Sequence, residues 1–343
     1  MTSNSTSQAS FLLAEGEMVD LVRNKDWSKT PIGNFEAWPL SLRNTVSFCL
    51  ASNFSINIIW GPHHTQIYND GYRILCGEIY PSALGEDYPM TWASAWSSLG
   101  GPFDRALEDK TSYLETERMF LKRNGYLEET FFTFSMSPIY NENGDIGGLF
   151  HSATETTLPM LAERRARALR DLSATLAGVE STQQMARRSV ETLALFEFDL
   201  PFVLVYVLDP GNEGYRLAAH HGIDAGTDLA PHTLSKSCTA PWPVEAALAR
   251  RDMVQVDGIE IFLHNRSCGP YEEPPQCAFL LPIAAANASG SSILLIAGLS
   301  PRVPLNEVYR SFYKSVVVCL TVALINVHAR EAEFRPGTSL AMT

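Results

Sequence analysis

Two pairs of adjacent histidines are the residues of this chain whose type suits metal binding. His63-His64 and His220-His221 offer the imidazole nitrogens that zinc prefers. The side chains of adjacent residues usually diverge, however, and neither pair has a cysteine or carboxylate partner at ligand spacing. The sequence therefore predicts histidines in loops and at strand ends, and no metal site.

Two cysteines beside a proline-rich loop suggest a second kind of chemistry. Cys268 and Cys277 flank this loop, and a reactive thiol needs a depressed pKa, usually supplied by a basic neighbour. Arg266 is the one basic residue close by in the sequence. No glycine-rich phosphate loop, GxSxG elbow or HExxH motif occurs. The sequence favours a protein without catalytic machinery.

Composition limits the classes of partner. The chain has 343 residues, of which 45% are apolar and 19% charged, which predicts two folded domains. A net charge of -12 argues against a nucleic-acid surface, because binding phosphates needs clustered lysine and arginine. The longest apolar stretch, 316–327, is shorter than the about twenty residues that cross a bilayer, so no membrane segment is expected. Six cysteines without a CxxC pair predict a reducing, cytoplasmic location.

Periodicity in the first half predicts helices and an antiparallel sheet. Phe132, Phe134 and Met136 alternate with small polar residues, the period of a strand with one buried face. The segment after Asp70 is expected to be a helix that this residue caps. The patterns predict further helices over 11–23, 38–51 and 91–108, and strands over 56–60, 65–68, 117–122, 129–140 and 146–154.

The second half has a similar alternation of elements. The apolar run 202–208 is typical of a central strand covered on both faces. Helices are predicted over 158–178, 182–198, 244–250 and 305–330, and further strands over 215–219, 278–283 and 293–298. The fold class is therefore α+β, with two domains that are each an antiparallel sheet flanked by helices, joined by a helical linker.

The first half resembles the PAS domains that precede the kinase core in bacterial and fungal hybrid histidine kinases. The resemblance covers about residues 15 to 157. It rests on short words in fixed order, which include Asp26-Trp27-Ser28, Thr30-Pro31-Ile32-Gly33, Trp38-Pro39, Trp60-Gly61-Pro62, Tyr68-Asn69-Asp70, Arg123-Asn124-Gly125 and Thr154-Glu155-Thr156-Thr157.

This resemblance implies a ligand cavity between the sheet and its helices. The residues implied to line the cavity are mainly aromatic: Trp60, Tyr68, Tyr72, Trp92, Trp96, Phe132, Phe134 and Ser135. The Asn-Cys-Arg-Phe motif of flavin-binding PAS domains is missing, as is the bilin motif of GAF domains. The cofactor is therefore unknown.

The second half resembles a GAF domain over about residues 175 to 330. The words Leu200-Pro201-Phe202 and Tyr206-Val207-Leu208-Asp209 carry this resemblance. The histidine phosphoacceptor and ATP-binding boxes of the kinases are missing. The combined resemblance implies a non-catalytic sensory or regulatory PAS-GAF protein of two-component (phosphorelay) signalling, which binds a small ligand or a partner.

Two alternatives stay open. One is a freestanding adaptor derived from a histidine kinase, which binds an intact kinase or a regulator. The other is a GAF-type methionine sulfoxide reductase that uses the loop cysteines Cys268 and Cys277. In relatives the long helices dimerise, so the resemblance also implies a homodimer.

These observations combine into one domain scheme. It consists of a disordered tail (1–10), a PAS-like domain with an N-terminal helical cap (11–157), a connecting helix (158–178), a GAF-like domain (179–330) and a C-terminal tail (331–343).

Overall fold

The chain forms two compact units, Met1–Met160 and Leu161–Thr343, in a computed structural model. The structure describes residues 11–209, 214–264, 266–284 and 293–333. The tail predicted over 1–10 lies outside the described residues, as does the C-terminal tail beyond residue 333.

The first unit is a five-stranded antiparallel sheet with helices on both faces. Its elements are α1 (Glu17–Asn24), α2 (Leu40–Ala51), β1 (Ile56–Trp60), β2 (Thr65–Tyr68), α3 (Asp70–Cys76), α4 (Tyr88–Thr91), α5 (Trp96–Leu107), β3 (Ser112–Leu121), β4 (Glu128–Tyr140) and β5 (Ile146–Glu155). The strand order is β2-β1-β5-β4-β3. Because β1 pairs with β5, the first and the last strand of the unit are neighbours within the sheet.

The tryptophan-containing motifs near the N-terminus form an aromatic cap. Trp27 and Trp38 are buried and pack edge to face, with ring centroids 5.2 Å apart. Their indole N–H groups donate to the carbonyls of Val22 and Gly33, both at 2.8 Å, so the buried polar atoms are satisfied. The tryptophans of these motifs therefore form part of the core of the first unit.

Helix α6 (Thr157–Leu176) begins in the first unit and continues into the second. The other elements of the second unit are α7 (Thr182–Leu193), β6 (Val203–Leu208), β7 (Gly214–His221), β8 (Thr233–Ser235), α8 (Val244–Arg250), β9 (Val254–Asp257), β10 (Cys277–Ile283), β11 (Ile293–Gly298) and α9 (Glu307–Glu333). Its strands form a six-stranded antiparallel sheet in the order β8-β7-β6-β11-β10-β9.

Both faces of the second sheet are covered, as the apolar run over 202–208 predicts. On one face Leu204 and Tyr206 pack with Trp242 in a core of wholly buried side chains. On the other face Phe279 stacks edge to face on Tyr313 of α9, with centroids 4.9 Å apart. The predicted α+β class with antiparallel sheets flanked by helices is confirmed.

Three local predictions need correction. Asn69 caps α3, because its side chain accepts the Tyr72 N–H at 3.0 Å, whereas Asp70 lies in the first turn and accepts the Met18 N–H at 3.2 Å. The edge strands β8 and β9 are not among the predicted strands, since three or four residues are too few to show a period. The helix predicted over 91–108 begins at Trp96, after the separate turn α4.

The closing helix is more apolar than the sequence interpretation allowed. Among the described residues one helix, Glu307–Glu331, is long and apolar enough to cross a membrane by length and composition. Only 39% of its apolar window is buried within the unit. Phe312, Val316 and Leu320 are buried on the packed side of the helix, whereas Val308 is exposed.

Candidate functional site

A row of polar side chains crosses the inner face of the first sheet. Register pairs Tyr68 of β2 with Asn57 of β1, and Asn57 with His151 of β5. Paired residues of neighbouring strands point to the same face of a sheet, so these three side chains lie side by side. The Asn57 side-chain amide donates to Oε1 of Gln66 at 3.0 Å, and all four residues are buried. Buried polar side chains are uncommon on an apolar face of a sheet, so this row indicates a candidate functional site.

His151 lies at the centre of this row, inside a cage of aromatic rings. Its Nδ1 lies 3.4 Å from the Tyr72 hydroxyl and 3.3 Å from the Tyr88 hydroxyl, and the Phe134 ring stands edge-on at 5.7 Å. Burial lowers the pKa of His151 to about 3, because the charged imidazolium has no counter-ion there. The imidazole is therefore neutral at physiological pH.

Two buried nitrogen atoms at this place have no hydrogen-bond partner. They are Nε2 of His151 and Nε1 of Trp92, both within the described part of the first unit. Leaving a buried polar atom unpaired costs about 1–3 kcal/mol, so such atoms are uncommon unless a water or ligand meets them. The two orphaned atoms belong to residues that line the same hollow.

The hollow lies between the inner face of the sheet and helices α3, α4 and α5. Its free space of about 20 Å³ fits an occupant close to the size of one water molecule. The wall carries no carboxylate, ammonium or guanidinium group, and consists of Tyr72, Leu75, Tyr88, Trp92, Leu99, Met119, Leu121, Phe132, Phe134, His151 and Ala153. A charged occupant would lose its hydration without gaining a counter-ion, so the hollow selects neutral molecules.

Four of the eight predicted cavity residues line this hollow: Tyr72, Trp92, Phe132 and Phe134. Two others, Tyr68 and Trp96, do not line the hollow but contact aromatic rings of its wall. The Tyr68 ring centroid lies 5.7 Å from that of Tyr72, and the Trp96 ring lies 6.4 Å from that of Tyr88. The ligand-binding role of all six remains a prediction.

Trp60 and Ser135 lie on the other face of the sheet, and this corrects their predicted placement. Ser135 follows Phe134, and side chains alternate between faces along a strand, so one residue inside places the next outside. Trp60 follows Ile59 in the same way and lines a separate surface groove beside Gly147 and Gly148. Neither side chain reaches the hollow.

Sequence reasoning missed His151 and Tyr88. His151 follows a strand pattern in which an apolar residue would serve equally well, so only its pairing with Asn57 reveals it. Tyr88 stands at the start of α4, directly after Asp87, whose side chain accepts the Met90 N–H at 2.9 Å and caps this short helix. The capping pattern could have located α4, but not the direction of the tyrosine ring.

An arginine cluster connects the wall of the hollow to the start of α6. Arg123 donates to the carbonyl of Leu75 at 3.0 Å and to both carboxylate oxygens of Glu155 at 2.8 Å. It also pairs with Glu128 at 2.7 Å, and all three charged side chains are largely withdrawn from water. Glu155 in turn accepts the hydroxyl of Thr157, the first residue of α6, at 2.7 Å.

The core of the second unit also contains a buried tryptophan. Trp242 is wholly buried among Phe202, Leu229 and Ile259, and donates its indole N–H to the Leu229 carbonyl at 2.8 Å. The tryptophan is therefore fully satisfied by the protein, unlike Trp92 of the first unit.

The two loop cysteines are not activated. Burial raises the pKa of Cys268 to about 12. Burial, together with the nearby Asp257 carboxylate at 3.0 Å, raises the pKa of Cys277 to about 12. A raised thiol pKa removes the thiolate that reduction chemistry needs. The geometry gives no support to the reductase alternative.

The histidine pairs lie in the turn between β1 and β2 and at the end of β7. Nδ1 of His220 contacts the Ile223 carbonyl at 2.9 Å, and His63 is exposed. Across the described ranges no group of three or more His, Cys, Asp or Glu side chains is placed to hold a metal ion.

Comparison with known proteins finds similar solved structures only. No protein-family model and no curated protein match the chain. The solved structures include a GAF domain of the Acinetobacter phosphoenolpyruvate-protein phosphotransferase (19% identity, 48% of this chain and 95% of that one, TM-score 0.36). They also include a putative GAF sensor protein from Burkholderia vietnamiensis (11%, 49% and 93%, TM-score 0.37).

A free methionine-R-sulfoxide reductase from Neisseria meningitidis, in complex with its substrate, has a similar score. It is 13% identical and covers 49% of this chain and 91% of its own length, with a TM-score of 0.37. GAF domains thus recur among the structural neighbours, but likenesses this distant transfer neither a ligand nor an activity to this chain.

Proposed function

We propose that this chain is a cytoplasmic sensory or regulatory protein whose first unit binds a small neutral molecule in the hollow around His151. The observation that carries the proposal is the pair of unpartnered nitrogens, His151 Nε2 and Trp92 Nε1, in an uncharged aromatic wall. With Nδ1 accepting from a tyrosine hydroxyl, Nε2 of the neutral imidazole carries its proton and becomes a donor. The matching ligand is a neutral molecule with a hydrogen-bond acceptor. Because the free space of about 20 Å³ holds about one water molecule, a ligand that also has an apolar body must displace side chains of the wall as it enters.

The arginine cluster supports a relay from the hollow to α6. Leu75 lines the hollow, and its carbonyl and Glu155 share the same Arg123 nitrogen. A ligand that displaces Leu75 therefore changes the contacts of Arg123 with Glu155, which lies two residues before the start of α6. The pair is withdrawn from water, so breaking it has a large energetic effect.

The pathway is proposed on sequence resemblance alone. We place the protein in two-component (phosphorelay) signalling, in which its partner would be a histidine kinase or a response regulator. A freestanding adaptor would bind the same partners without a ligand. The chain could capture a host kinase equally well when residues of the hollow are substituted. That result would favour the adaptor hypothesis.

The test of ligand binding is native mass spectrometry of the purified full chain, followed by a thermal-shift screen of small neutral alcohols, amides and heteroaromatic molecules. We expect a bound molecule, or a screened compound that raises the unfolding temperature of the first unit. Trp92→Phe keeps the ring but removes the N–H donor, so it should weaken binding about tenfold, which corresponds to about 1.4 kcal/mol.

A second variant fills the space. Ala153→Leu adds bulk at the wall and should abolish binding, whereas Trp60→Phe, on the other face of the sheet, should leave binding unchanged. If no compound binds, or if binding survives Ala153→Leu, the hollow is not the ligand site.

A further inference from the structure

Asn57 carries a further buried polar atom without a hydrogen-bond partner, its amide oxygen Oδ1. The side chain is wholly buried, and register places it opposite His151 on the neighbouring strand β5, with the two Cβ atoms about 5 Å apart. The unpartnered atoms of the hollow are instead nitrogens, Nε2 of His151 and Nε1 of Trp92. Within the described part of the first unit, an unpartnered acceptor thus lies beside a wall that holds two unpartnered donors.

A chain of hydrogen bonds fixes which end of the Asn57 amide stays unpartnered. The Thr91 hydroxyl donates to the carbonyl of Asp87 at 2.8 Å, and its oxygen accepts a side-chain N–H of Gln66 at 2.7 Å. Oε1 of Gln66 in turn accepts the Asn57 amide N–H at 3.0 Å. Turning the Asn57 amide alone would bring two acceptor oxygens together, and turning the Gln66 amide as well would cost Thr91 its bond to the carbonyl. The chain therefore leaves the oxygen of Asn57 as the available acceptor.

Tyr72 connects Asn57 with the hollow. Its ring lines the hollow, and its hydroxyl lies 3.4 Å from Nδ1 of His151. Burial raises the pKa of Tyr72 above its ordinary value, and a hydrogen bond from the Asn57 side chain opposes part of this rise, so Asn57 reaches the same hydroxyl. Asn57 itself is not part of the wall. A ligand whose body displaces the Tyr72 ring therefore comes within reach of Asn57.

The unpartnered atoms match the two ends of a carboxamide group. A carbonyl oxygen has two lone pairs, so one ligand oxygen can accept from both His151 and Trp92. The oxygen of Asn57 requires an N–H or O–H donor. An alcohol has its donor and its acceptor on a single oxygen, which would have to contact the wall and Asn57 at the same point. An amide separates the two functions onto neighbouring atoms and remains uncharged, as the wall of the hollow requires.

We infer that the ligand of the hollow is a small neutral carboxamide, whose carbonyl accepts hydrogen bonds from His151 and Trp92 and whose N–H donates to Oδ1 of Asn57. This inference rests on the proposed function of the hollow. Asn57 determines specificity, because a ligand without the N–H leaves its oxygen buried and unpaired. Gln66 and Thr91 are positioning residues, since they act on the ligand only through the orientation of the Asn57 amide.

A matched pair of compounds tests the inference by NMR titration of the full chain. Cyclopentanone has the ring size and the carbonyl of γ-butyrolactam, but a CH₂ group in place of the N–H. The lactam should bind at least about tenfold more tightly, because the ketone leaves the Asn57 oxygen unpaired. Equal affinities, tighter binding of cyclopentanol, or binding of other screened compounds but not the lactam would overturn the inference and leave the hollow as a binding site. If no neutral compound binds at all, the proposed function itself fails.

Variants of the hydrogen-bonded chain test the positioning role. Asn57→Leu should abolish the preference for the lactam over the ketone. Thr91→Val keeps the shape of the side chain but removes the hydroxyl that anchors the chain, so the preference should fall to about threefold or less, with the ketone affinity nearly unchanged. Asn143→Leu, at an exposed asparagine of the β4–β5 hairpin, is the matched control and should keep the full preference. An equal loss of affinity for both compounds in Thr91→Val would show a merely structural role, and it keeps the test valid if Asn57→Leu does not fold.

Discussion

His151 is a histidine held neutral by burial inside a protein of strongly negative net charge. Its neighbours are two tyrosine hydroxyls and aromatic rings, and none of them supplies the negative charge that would stabilise an imidazolium. A neutral imidazole can donate one hydrogen bond and accept another, which suits recognition of an uncharged ligand. The same burial makes the first unit sensitive to acid.

We expect the first unit to lose stability as the pH falls through the window between about 6.5 and 3. The unfolded chain binds a proton on His151 near pH 6.5, whereas the folded unit resists until about pH 3, so acid favours the unfolded state. At pH 5 the difference amounts to about 2 kcal/mol.

Replacing His151 with glutamine should remove this share of the pH dependence. Urea unfolding at pH 7 and pH 5, followed by tryptophan fluorescence, measures it, since five of the six tryptophans lie in the first unit. His63→Gln, an exposed histidine, serves as the control. Equal pH dependence in the wild type and His151→Gln would contradict the buried, neutral state.

At the scale of elements, buried ion pairs hold α6 next to its start and near its middle. Near its start Glu155 pairs with Arg123, and further along Arg164 and Arg165 converge on Asp199 at 2.5 and 2.8 Å. Asp199 is buried, and its backbone carbonyl accepts the hydroxyls of two tyrosines of α9. Arg164 and Arg165 therefore form a largely buried ionic contact and are not part of a solvated helix face.

Asp199→Asn should destabilise the second unit by about 3 kcal/mol, because it leaves two arginines near or in the core without their carboxylate. Thermal unfolding monitored by circular dichroism gives the change. Glu191→Gln breaks the exposed pair with Arg187 and should change stability by less than about 0.5 kcal/mol. A loss below about 1 kcal/mol for Asp199→Asn would mean that water satisfies the two guanidinium groups.

At the scale of the whole molecule, each unit has a hydrophobic core of its own. One core contains Trp27, Tyr88 and Phe134, and the other contains Phe202, Trp242 and Leu280. Separate cores of this size fold cooperatively within themselves. Stability is therefore expected to be a property of each unit.

Calorimetry of the full chain should show two unfolding transitions. His151→Gln is expected to shift one of them and Asp199→Asn the other, because the two residues belong to different units. A single transition, moved equally by both variants, would show that the units unfold together.

Much of the fold could be predicted because it depends on local patterns. The strands over 56–60, 65–68 and 293–298 and the helix over 244–250 have the predicted bounds, since glycine, proline and polar residues mark their ends. The alternation of Phe132, Phe134 and Met136 likewise places these residues on one face of β4. The spacing of apolar residues and the residues that end an element are properties of the local sequence. They can be recognised without knowing which distant residues pack against the element.

The site and the exposed side of α9 depended on tertiary structure. Alternation shows which residues share a face, but only the pairing of β1 with β5 brings Asn57 beside His151, and only the packing of α3 and α4 turns Tyr72 and Tyr88 toward it. In α9 apolar residues lie on more than one side, and only the structure shows that Val318, Val322 and Ile325 remain exposed. Both outcomes depend on contacts between residues far apart in the chain, and local periodicity carries no information about such contacts.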